Sequence, residues 1–448
     1  MWFVYFTDPV LRAPTIGCML MALVAGLTGV IVFLRKESLL GESLSHASYP
    51  GVIIGILLPS LFLEGNHEAL LSTGILLGAF MTASLGLYCI QFLRLRLNIA
   101  PDAALCFILS AFFGVGLTIA SRIQFTHTLL YNQVQVYLYG QAATMTDVHI
   151  YIYAFLSTCV LSLIILAYKE IQTIILDRQY AKSLGMSVSL IDFCVFVLVV
   201  MTVVIGIRSV GVVLISAMLI APPVAARQYT NRLSFMFFLS AFFGVVSGYL
   251  GNVISVELGL YLENRFPDQS IALPTGPMIV MVASVICIFA LLFAPERGML
   301  MRLWRMATYR HQRLGENLLK AMWYKEQGEW VSISYFQNFL SFPSFYIRFV
   351  LWRLKQQGWV LQQYGAYALS IDGRHRAAHI VRLHRLWEVY LVDYLGVGVE
   401  RVHMDADEME HIITPELERE LVELLNDPKR DPHHQPIPNQ NEVKGYEG

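Results

Sequence analysis

The chain has 448 residues, of which 56% are hydrophobic and only 15% are charged. Soluble domains contain about 45–50% apolar and about 25% charged residues, so this composition excludes a chain that is soluble throughout. The apolar excess is confined to residues 1–295, whereas 296–448 holds 19 Lys and Arg, 20 Asp and Glu, and eight of the 12 histidines. Two solvents, lipid and water, are therefore implied, and with them at least two domains.

Residues 1–295 consist of apolar runs of about 20 residues separated by short polar gaps, and such a run crosses roughly 30 Å of hydrocarbon. We predict an all-α polytopic membrane domain with about nine transmembrane helices. The predicted spans are about 15–34, 46–63, 70–93, 103–121, 149–168, 190–208, 210–227, 234–256 and 274–294. The segment 123–148 is too polar for a span and is expected to be an outer loop or a re-entrant half-helix.

Basic residues in the loops indicate the orientation of the chain, because cytoplasmic loops are enriched in Lys and Arg. One set of loops carries nine basic residues and the other carries four. The richer set is Arg35, Lys36, Arg94, Arg96, Lys169, Arg178, Lys182, Arg227 and Arg232. We therefore expect the N-terminus outside the membrane and residues 296–448 in the cytoplasm.

Two ionisable residues lie in the polar stretch GESLSHASYPG at the inner end of the second predicted span. Glu42 and His46 are four residues apart, so a helix places them on one face. A carboxylate and an imidazole at this spacing can hold one divalent cation, and ionisable groups in a membrane helix are candidate functional groups. Alternatively, Glu42 is an interfacial charge and His46 packs against neighbouring residues.

The segment LDRQYAKSLGM, residues 176–186, lies between two predicted spans on the cytoplasmic side. Its pattern predicts a short amphipathic helix that ends at Gly185, and such a helix can dock in a groove of a soluble partner. An ordinary surface helix in a loop would have the same pattern.

These two stretches resemble the signatures of the metal-type ABC permease family, which transports manganese, iron or zinc. The stretch GESLSHASYPG resembles that family's G-D-A-L-S-H-A-x-x-P-G signature, with Glu42 in place of the usual Asp. The stretches LDRQYAKSLGMSV, SVGVVLISAMLIAPPVAARQ and LPTGPMIVMVAS also resemble family patterns, so the likeness extends over about residues 12–295. The resemblance implies that Glu42 and His46 line the translocation path, and that Ala181, Lys182 and Gly185 belong to the helix contacting the ATPase.

The resemblance also implies partners and a location. The chain contains no G-x-x-x-x-G-K-[ST] phosphate loop, so we expect a separate ATP-binding subunit and no enzymatic activity in this chain. The family further implies an extracytoplasmic metal-binding protein, and a second permease subunit that is either identical or a sister chain. The expected location is a bacterial inner (cytoplasmic) membrane, crossed several times.

The pattern of residues 296–372 predicts a linker followed by a DNA-binding domain. The linker, 296–313, is basic and amphipathic, and we expect it to lie partly on anionic headgroups. Helix-sized segments follow at about 314–327, 332–340 and 344–357, and two short strands lie between Trp359 and Ser370. Three helices followed by a strand pair predict a winged helix-turn-helix at 314–372.

The third of these helices is the predicted recognition helix. Ser344 is expected to cap its N-terminus, and the residues from Ser344 through Tyr346 to Arg348 are expected to enter the major groove. Arg348 is the best candidate for a base edge, and Arg353 and Lys355 suit phosphates. The segment is unusually aromatic, and we expect most of its aromatic residues to be core. A winged helix that contacts only proteins is the alternative.

The last segment, 373–448, is acidic and carries a candidate metal site. Its predicted helices are 373–395, 403–411 and 415–425. His384 and Glu388 share one helix face, and the next helix repeats donors at offsets 0, 4, 7 and 8. Those donors are His403, Asp407, Glu410 and His411. Nitrogen and oxygen donors without a thiolate suit Mn²⁺ or Fe²⁺ better than a structural Zn²⁺. A solvated acidic helix with incidental histidines is the alternative.

This segment resembles the diphtheria-toxin-repressor family of metalloregulators, from IDGRHRAAHIVRLHRLWE to DPHHQPIP. The resemblance implies a metal-binding and dimerisation domain at 373–448, so that the protein would form homodimers. It implies a primary metal site at Glu316, Asp407, Glu410 and His411, and an ancillary site at His384, Glu388 and His403. Asp407 replaces the Cys or Glu of other members, and the chain ends soon after Pro438, without the third domain of some members.

A permease followed by a repressor is similar to the chlamydial permease–repressor fusions for metal uptake. The sequence therefore predicts an importer subunit for Mn²⁺ or Fe²⁺, with Zn²⁺ possible, fused to a metal-dependent repressor of an operator DNA. Because a tethered repressor reaches little DNA, we also predict cleavage in the linker. The alternative is a permease for a siderophore or cobalamin chelate, whose cytoplasmic domain gates transport without binding DNA.

Overall fold

The computed structural model describes residues 4–62, 68–126, 128–140, 142–266, 273–325, 329–339 and 342–439. The chain divides into two compact units, Met1–Arg302 and Leu303–Gly448. Each unit has its own hydrophobic core, as the change in composition near residue 296 predicts. The units are described separately below.

The first unit is built from helices. They are α1 (Val4–Thr7), α2 (Pro9–Leu34), α3 (Leu39–Phe62), α4 (Glu68–Arg96), α5 (Pro101–Thr126), α6 (Thr128–Tyr139), α7 (Asp147–Leu166), α8 (Tyr168–Leu176), α9 (Arg178–Ser183), α10 (Val188–Val210), α11 (Ile215–Tyr229), α12 (Leu233–Arg265) and α13 (Thr275–Phe293). A short 3-10 turn, Ala142–Thr144, lies between α6 and α7.

Nine of these helices coincide with the nine predicted spans, although their lengths differ from the prediction. Within the described residues, seven helices are long and apolar enough to cross a membrane, all but α3 and α11 of the nine. The α11 helix has only 15 residues and contains Pro222 and Pro223, each of which removes one backbone hydrogen bond. The α12 helix has 33 residues and extends well beyond the predicted end at 256. The count of nine is therefore approximate.

Small residues allow the membrane helices to pack with their backbones in contact. A Cβ atom added at Gly51 of α3 would lie 2.0 Å from the Gly78 carbonyl oxygen of α4, and one at Gly55 would lie 2.4 Å from that of Gly74. At Gly244 of α12, an added Cβ would lie 2.4 Å from the Ala22 carbonyl oxygen of α2. Glycine at these positions therefore permits close helix packing in the absence of a hydrophobic driving force.

In the segment 123–148, the residues that the structure describes form no helix long enough to span a membrane. The segment contains the end of α5, the 12-residue helix α6 and the 3-10 turn. Val134 of α6 is fully buried, and the Tyr137 carbonyl accepts a hydrogen bond from Val212 N at 3.1 Å. A helix of this length is too short to cross roughly 30 Å of hydrocarbon, and α6 packs on α3 and α10.

The second unit combines helices with one β-hairpin. Its elements are α14 (Met299–Trp323, of which residues 303–323 belong to this unit), α15 (Ile333–Phe339), α16 (Ser344–Gln356), β1 (Val360–Gln363), β2 (Ala366–Leu369), α17 (Ile371–Asp393), α18 (Val402–Met409) and α19 (Pro415–Leu424). The strands are antiparallel, with Val360 opposite Leu369, and Val331 forms an isolated bridge to Tyr367. Leu318, Phe336, Ile347 and Leu351 lie in one core, so these helices and the hairpin form the predicted winged helix.

The α14 helix is longer than the sequence pattern predicts. It runs without a break from Met299, inside the predicted linker, through the predicted start of the first winged-helix segment at 314. Its first part is exposed: Trp304 is 71% exposed, whereas Leu314, Leu318 and Leu319 are buried. The absence of Gly and Pro from 299–314 explains why nothing terminates the helix there.

Candidate functional site

Three helices of the second unit bring the candidate metal-binding residues together. The α17 helix is capped by Ser370, whose side chain accepts a hydrogen bond from Gly373 N at 3.0 Å. One helical turn separates His384 from Glu388, so both point to the same side of α17. The α18 helix carries His403 and Asp407. Lys320 of α14 contacts Asp407, so α14 also contributes polar groups to this site.

One group of donors consists of His384, Glu388 and His403, whose candidate ligand atoms all lie within 4.8 Å of one another. His384 Nε2 lies 3.1 Å from Glu388 Oε1, and His403 Nδ1 lies 2.5 Å from the same oxygen. The two imidazole rings stack with centroids 5.6 Å apart. This is the set of residues that the sequence predicts for the ancillary site.

A second group consists of His384, Asp407 and Glu410, again with candidate ligand atoms within 4.8 Å. His384 Nδ1 lies 2.6 Å from Glu410 Oε2 and 3.4 Å from Asp407 Oδ1. Asp407 and Glu410 belong to the predicted primary site. The family resemblance assigns His384 to the ancillary site alone, whereas the structure places it between the two groups.

His384 therefore faces one donor group with each ring nitrogen. A neutral imidazole has a single nitrogen lone pair, so it can coordinate one ion and donates an N–H from its other nitrogen. If Nε2 binds an ion with Glu388 and His403, Nδ1–H donates to the Glu410 carboxylate. Such a second hydrogen bond fixes the ring and raises its basicity as a ligand.

The donor set fits a divalent cation, because some of its buried carboxylate oxygens have no hydrogen-bond partner among the described residues. Glu388 and Glu410 are 0% and 3% exposed. Among the described residues, Glu388 Oε2 and Glu410 Oε1 have no hydrogen-bond partner. An unpaired buried carboxylate oxygen is costly, and a bound cation would compensate for that cost. Oxygen and imidazole donors suit Mn²⁺, Fe²⁺ or Zn²⁺.

Lys320 of α14 lies within the second donor group, and the sequence pattern did not single it out. Its Nζ atom lies 2.7 Å from Asp407 Oδ1, 2.6 Å from Glu410 Oε2 and 3.0 Å from His384 Nδ1. Burial lowers the pKa of Lys320, but the carboxylates of Glu410 and Asp407 outweigh this effect and raise the pKa above its usual value. Lys320 is therefore a buried ammonium group.

Glu316 contacts one of the other predicted primary-site residues, His411, but it also pairs with Arg376. Its Oε2 atom lies 2.6 Å from Nδ1 of His411, but its Oε1 atom accepts a hydrogen bond from Arg376 at 2.8 Å. His411 Nε2 lies 3.2 Å from Asn317 Oδ1 and 3.6 Å from Glu410 Oε1. The predicted primary site is thus not one cluster: Glu316 and His411 form a pair beside Asp407 and Glu410. Asn317, one residue along α14, is an oxygen donor that the prediction missed.

His433 is a further residue that the prediction missed. Its ring stacks on His403 with centroids 4.6 Å apart and planes 6° apart. Asp431 Oδ1 accepts hydrogen bonds from His433 N at 2.9 Å and Gln435 N at 2.8 Å, which hold the loop in place. The doublet His433–His434 in the sequence is a signal for this residue, although its distance of 30 positions from His403 hides the contact.

The protonation of the two donor groups follows from their contacts. Burial lowers the pKa of His384, but hydrogen bonds to Glu388 and Glu410 more than compensate and raise it above 6.5. Burial raises the pKa of Glu388, but its hydrogen bond with His384 and the charges of the imidazoles lower it below 4.5. Burial raises the pKa of Glu316, but its hydrogen bonds, led by the one with His411, outweigh this effect and lower the pKa below its usual value.

The predicted recognition helix, α16, buries one face and exposes another. Ile347, Val350 and Leu351 belong to the core, whereas Arg348, Arg353 and Lys355 are exposed. Ser344 and Tyr346 are half-buried. The prediction that Ser344 caps the helix is wrong: α16 begins at Ser344, the capping position is Pro343, and no side-chain cap bond forms. A helix can begin after Pro343 because proline has no N–H to satisfy.

The expectation that most aromatic residues of this region are core is also wrong. Phe336 is buried, but Phe345, Phe349 and Trp352 are 74%, 49% and 55% exposed. They lie at offsets 0, 4 and 7, so they share one face of α16, and Phe349 stacks on Trp352 at 6.1 Å. The small core is filled by the aliphatic residues of the other face. We call Phe345, Phe349 and Trp352 the aromatic face.

In the first unit, Glu42 and His46 both lie within α3, one turn apart. His46 is 7% exposed, its ring packs edge-on against Phe113 at 4.5 Å, and its Nδ1 atom has no hydrogen-bond partner among the described residues. Glu42 is half-buried. A buried imidazole nitrogen with no partner in a membrane helix is typical of a functional group.

The predicted coupling segment forms the short helix α9. Its N-terminus is capped by Asp177, which accepts hydrogen bonds from Gln179 N and Tyr180 N. Gly185 ends the segment with φ at +76°, a conformation that favours glycine. Ala181 is fully buried against Ile174 and Val188. Any surface offered to a partner therefore consists of exposed neighbours rather than Ala181 itself. They are Tyr180, Lys182 and Leu184.

Fold and site together define a polytopic membrane transport subunit with a C-terminal metal-responsive regulatory unit. Residues 7–294 match the model of the ABC 3 transport family, and residues 371–439 match that of the iron dependent repressor, metal binding and dimerisation domain. The first match covers more than half of the chain, so this protein belongs to the ABC 3 transport family. Both resemblances inferred from the sequence are thereby confirmed.

Similar proteins include chains that match this one over most of its length. A probable metal transport system membrane protein of Chlamydia trachomatis is 37% identical over 445 residues, which is 97% of each chain. The manganese transport system membrane protein MntC of Bacillus subtilis is 29% identical and covers 88% of this chain and 87% of its own. The solved structure of PsaBC from Streptococcus pneumoniae in complex with Fab has a TM-score of 0.54 at 27% identity, covering 68% of this chain and 97% of that chain.

Proposed function

We propose that this chain is the permease subunit of an ABC importer for a divalent transition metal, fused to a metal-dependent transcriptional repressor. The observation that carries the proposal is the pair of donor groups sharing His384, in a unit of the repressor metal-binding family. The names of the relatives, which refer to metal, manganese and zinc transport, favour a free ion over a siderophore or cobalamin chelate.

In the permease unit, Glu42 and His46 would contact the ion on its way through the membrane. One carboxylate and one imidazole on a single helix face form a partial coordination shell, and neighbouring groups or water would supply the remainder. An extracytoplasmic metal-binding protein would deliver the ion, and this permease would pair with itself or with a sister chain. A separate ATP-binding subunit would act on α9 through Tyr180, Lys182 and Leu184.

In the regulatory unit, Mn²⁺ or Fe²⁺, or alternatively Zn²⁺, would bind to the groups around His384. Most of these ligands lie on or beside α17 and α18, whereas Glu316, a predicted primary ligand that contacts His411, lies on α14 of the winged-helix core. An ion that also binds Glu316 would couple the two parts. Metal binding would favour the arrangement of a homodimer in which two α16 helices reach the same operator. Arg348 would contact a base edge, and Arg353 and Lys355 would contact phosphates.

A gel-shift experiment with the fragment 296–448 tests this function. The fragment contains all of α14 and both cores of the second unit. We expect it to retard DNA from its own promoter region when Mn²⁺ or Fe²⁺ is present, and to release it after addition of a chelator. Failure to retard DNA at any metal concentration would remove the repressor half of the proposal.

The aromatic face favours a second candidate function for the winged helix. Phe345, Phe349 and Trp352 together expose a large apolar surface, and solvent-exposed aromatic clusters are typical of protein contacts. In this alternative, the regulatory unit binds a protein and gates transport without touching DNA. Metal-dependent transport with no gel shift would support the alternative, and the DNA retardation described above would exclude it as the sole function.

A further inference from the structure

The position of Lys320 carries an inference about how the regulatory unit responds to metal. We propose that the Lys320 ammonium group is a tethered competitor that occupies the donor group Asp407–Glu410–His384, so that a metal ion must displace it to bind there. This inference rests on the proposed metal-binding function. In this role Lys320 opposes metal binding, whereas a metal ligand would promote it.

The geometry shows that Lys320 and an ion cannot share this place. Lys320 Nζ contacts one candidate ligand atom on each of the three residues, at 2.7 Å, 2.6 Å and 3.0 Å. A bound Mn²⁺, Fe²⁺ or Zn²⁺ ion would sit about 2.0–2.3 Å from the same oxygen and nitrogen atoms. The ion and the ammonium would thus compete for the same electron pairs, and their like charges would repel each other strongly at this distance.

The burial of Lys320 and Glu410 strengthens their attraction, and with it the ability of Lys320 to compete with a metal ion. Lys320 is 8% exposed and Glu410 is 3% exposed, so water screens their attraction only weakly. The lysine is tethered to α14, and it therefore acts at a high local concentration without any dissociation into bulk solvent. The apparent affinity of the donor group for metal is reduced by the fraction of molecules in which Lys320 occupies it.

The other donor group is free of this competitor. Lys320 Nζ contacts His384 at Nδ1, whereas Glu388 and His403 face the opposite nitrogen, Nε2. We therefore expect the first ion to bind at Nε2 of His384, Glu388 and His403. Nδ1 of His384 then carries the ring proton, so a second ion can use only the Asp407 and Glu410 carboxylates of the other group. That ion must displace Lys320 from both carboxylates, and it binds more weakly. The contact that Lys320 makes across α14, α17 and α18 in the metal-free protein is lost at that second step.

Calorimetric titration of the full chain with Mn²⁺ in detergent micelles tests the proposal. In a Glu42→Ala, His46→Ala background, which removes the proposed permease ligands, the regulatory unit is expected to bind one ion tightly and a second ion weakly. Lys320→Ala removes the ammonium without adding a ligand, and it should bind the second ion at least about tenfold more tightly, given the strength of charge repulsion at this range. Lys320→Arg retains the charge and should bind the second ion as weakly as the background protein or more weakly.

A measurement on the wild-type protein avoids dependence on the folding of a variant. Acylation of lysine amines, followed by mass spectrometry, should modify Lys320 slowly without metal and several-fold faster with saturating Mn²⁺. Lys429, whose side chain is 69% exposed, serves as the reference and should not change.

The outcomes separate the two proposals. Tight binding of two ions by the background protein, or equal second-ion affinity with and without Lys320→Ala, overturns the role of Lys320 and leaves metal sensing intact. The same holds if Mn²⁺ protects Lys320 from acylation. If neither the background protein nor its Lys320→Ala variant binds any Mn²⁺, the proposed metal-binding function itself fails, and the role of Lys320 fails with it.

Discussion

Nδ1 of His384 lies 2.6 Å from Oε2 of Glu410, and this contact joins the middle of α17 to the residue that follows α18. The opposite nitrogen of the same ring faces Glu388. One imidazole thus connects two groups of donors that the sequence assigns to separate sites, and the first two predictions concern this connection.

Removing Glu388 should weaken metal binding in the regulatory unit. Glu388→Ala deletes a fully buried carboxylate that approaches both His384 and His403. We expect the affinity of the fragment 296–448 for Mn²⁺ to fall by about 10- to 100-fold, since loss of a ligand or its hydrogen-bonded partner has this effect. Glu420→Ala, on the exposed side of α19, is the matched control. Unchanged calorimetric affinity in Glu388→Ala would contradict the assignment.

The pH dependence of metal binding should follow His384. Its pKa is raised above 6.5, and metal must replace the proton of the imidazolium. We expect Mn²⁺ affinity to fall by up to about tenfold for each pH unit below that pKa, for each proton displaced. An affinity that does not change between about pH 6 and pH 8 would argue against His384 as a ligand.

In the metal-free protein, stability should change with pH in the opposite direction near the pKa of His384. It should fall as the pH rises, whereas the affinity for metal should increase. Because the pKa of His384 is raised, its contribution is fully present below 6.5 and is lost as the pH rises through the folded-state pKa. The pKa of Glu388 is lowered, so its contribution is present above 4.5 and is lost as the pH falls through its folded-state pKa. Thermal melts of the chelator-treated fragment should therefore show highest stability between these limits, and His384→Gln should flatten the alkaline side.

In the membrane unit, Glu42 and His46 should be needed for transport. We expect Glu42→Ala or His46→Ala to reduce uptake of radiolabelled Mn²⁺ by at least about tenfold, because each removes a group that offsets the dehydration of the ion. Glu42→Asp keeps the carboxylate and should retain most of the uptake. Normal uptake by both alanine variants, at equal protein levels in the membrane, would exclude a role for this pair in the path.

Two substitutions on α16 distinguish DNA binding from protein binding. Arg348→Ala should weaken operator binding by about 1–3 kcal/mol and relax the preference at one base pair, as expected for loss of a base contact. Phe349→Ala, on the aromatic face, should alter DNA binding less than Arg348→Ala. If Phe349→Ala instead changes metal transport while DNA binding is absent, the gating function is favoured.

The spacing of residues predicted which candidate donors share a helix face, because helical periodicity determines this. It placed His384 beside Glu388, and the proximity of His403 followed from the family resemblance. Spacing could not show that His384 faces both groups, since that depends on how α17 packs against α18. Lys320 and Asn317 were missed because the prediction treated their helix as part of the winged-helix core, and because a lysine is not a metal-ligand type.

The fold was also predicted in its outline but not in its details. Hydropathy indicated the membrane helices, yet it did not predict the length of α12 or the unbroken course of α14. The exposure of Phe345 shows a second limit. Aromatic content indicates which residues are able to fill a core, whereas the volume available between α14, α15 and α16 decides how many of them do.

The contact between Gly51 and Gly78 has a consequence for the transport cycle. Carbonyl oxygens fill the space that side chains would occupy at Gly51 and Gly55, so the backbones of α3 and α4 are in direct contact there. Such close packing favours movement of the two helices together, and Glu42 and His46 would then move with α4. We therefore expect the rearrangement that opens the pathway alternately to each side of the bilayer to occur mainly at other helix boundaries.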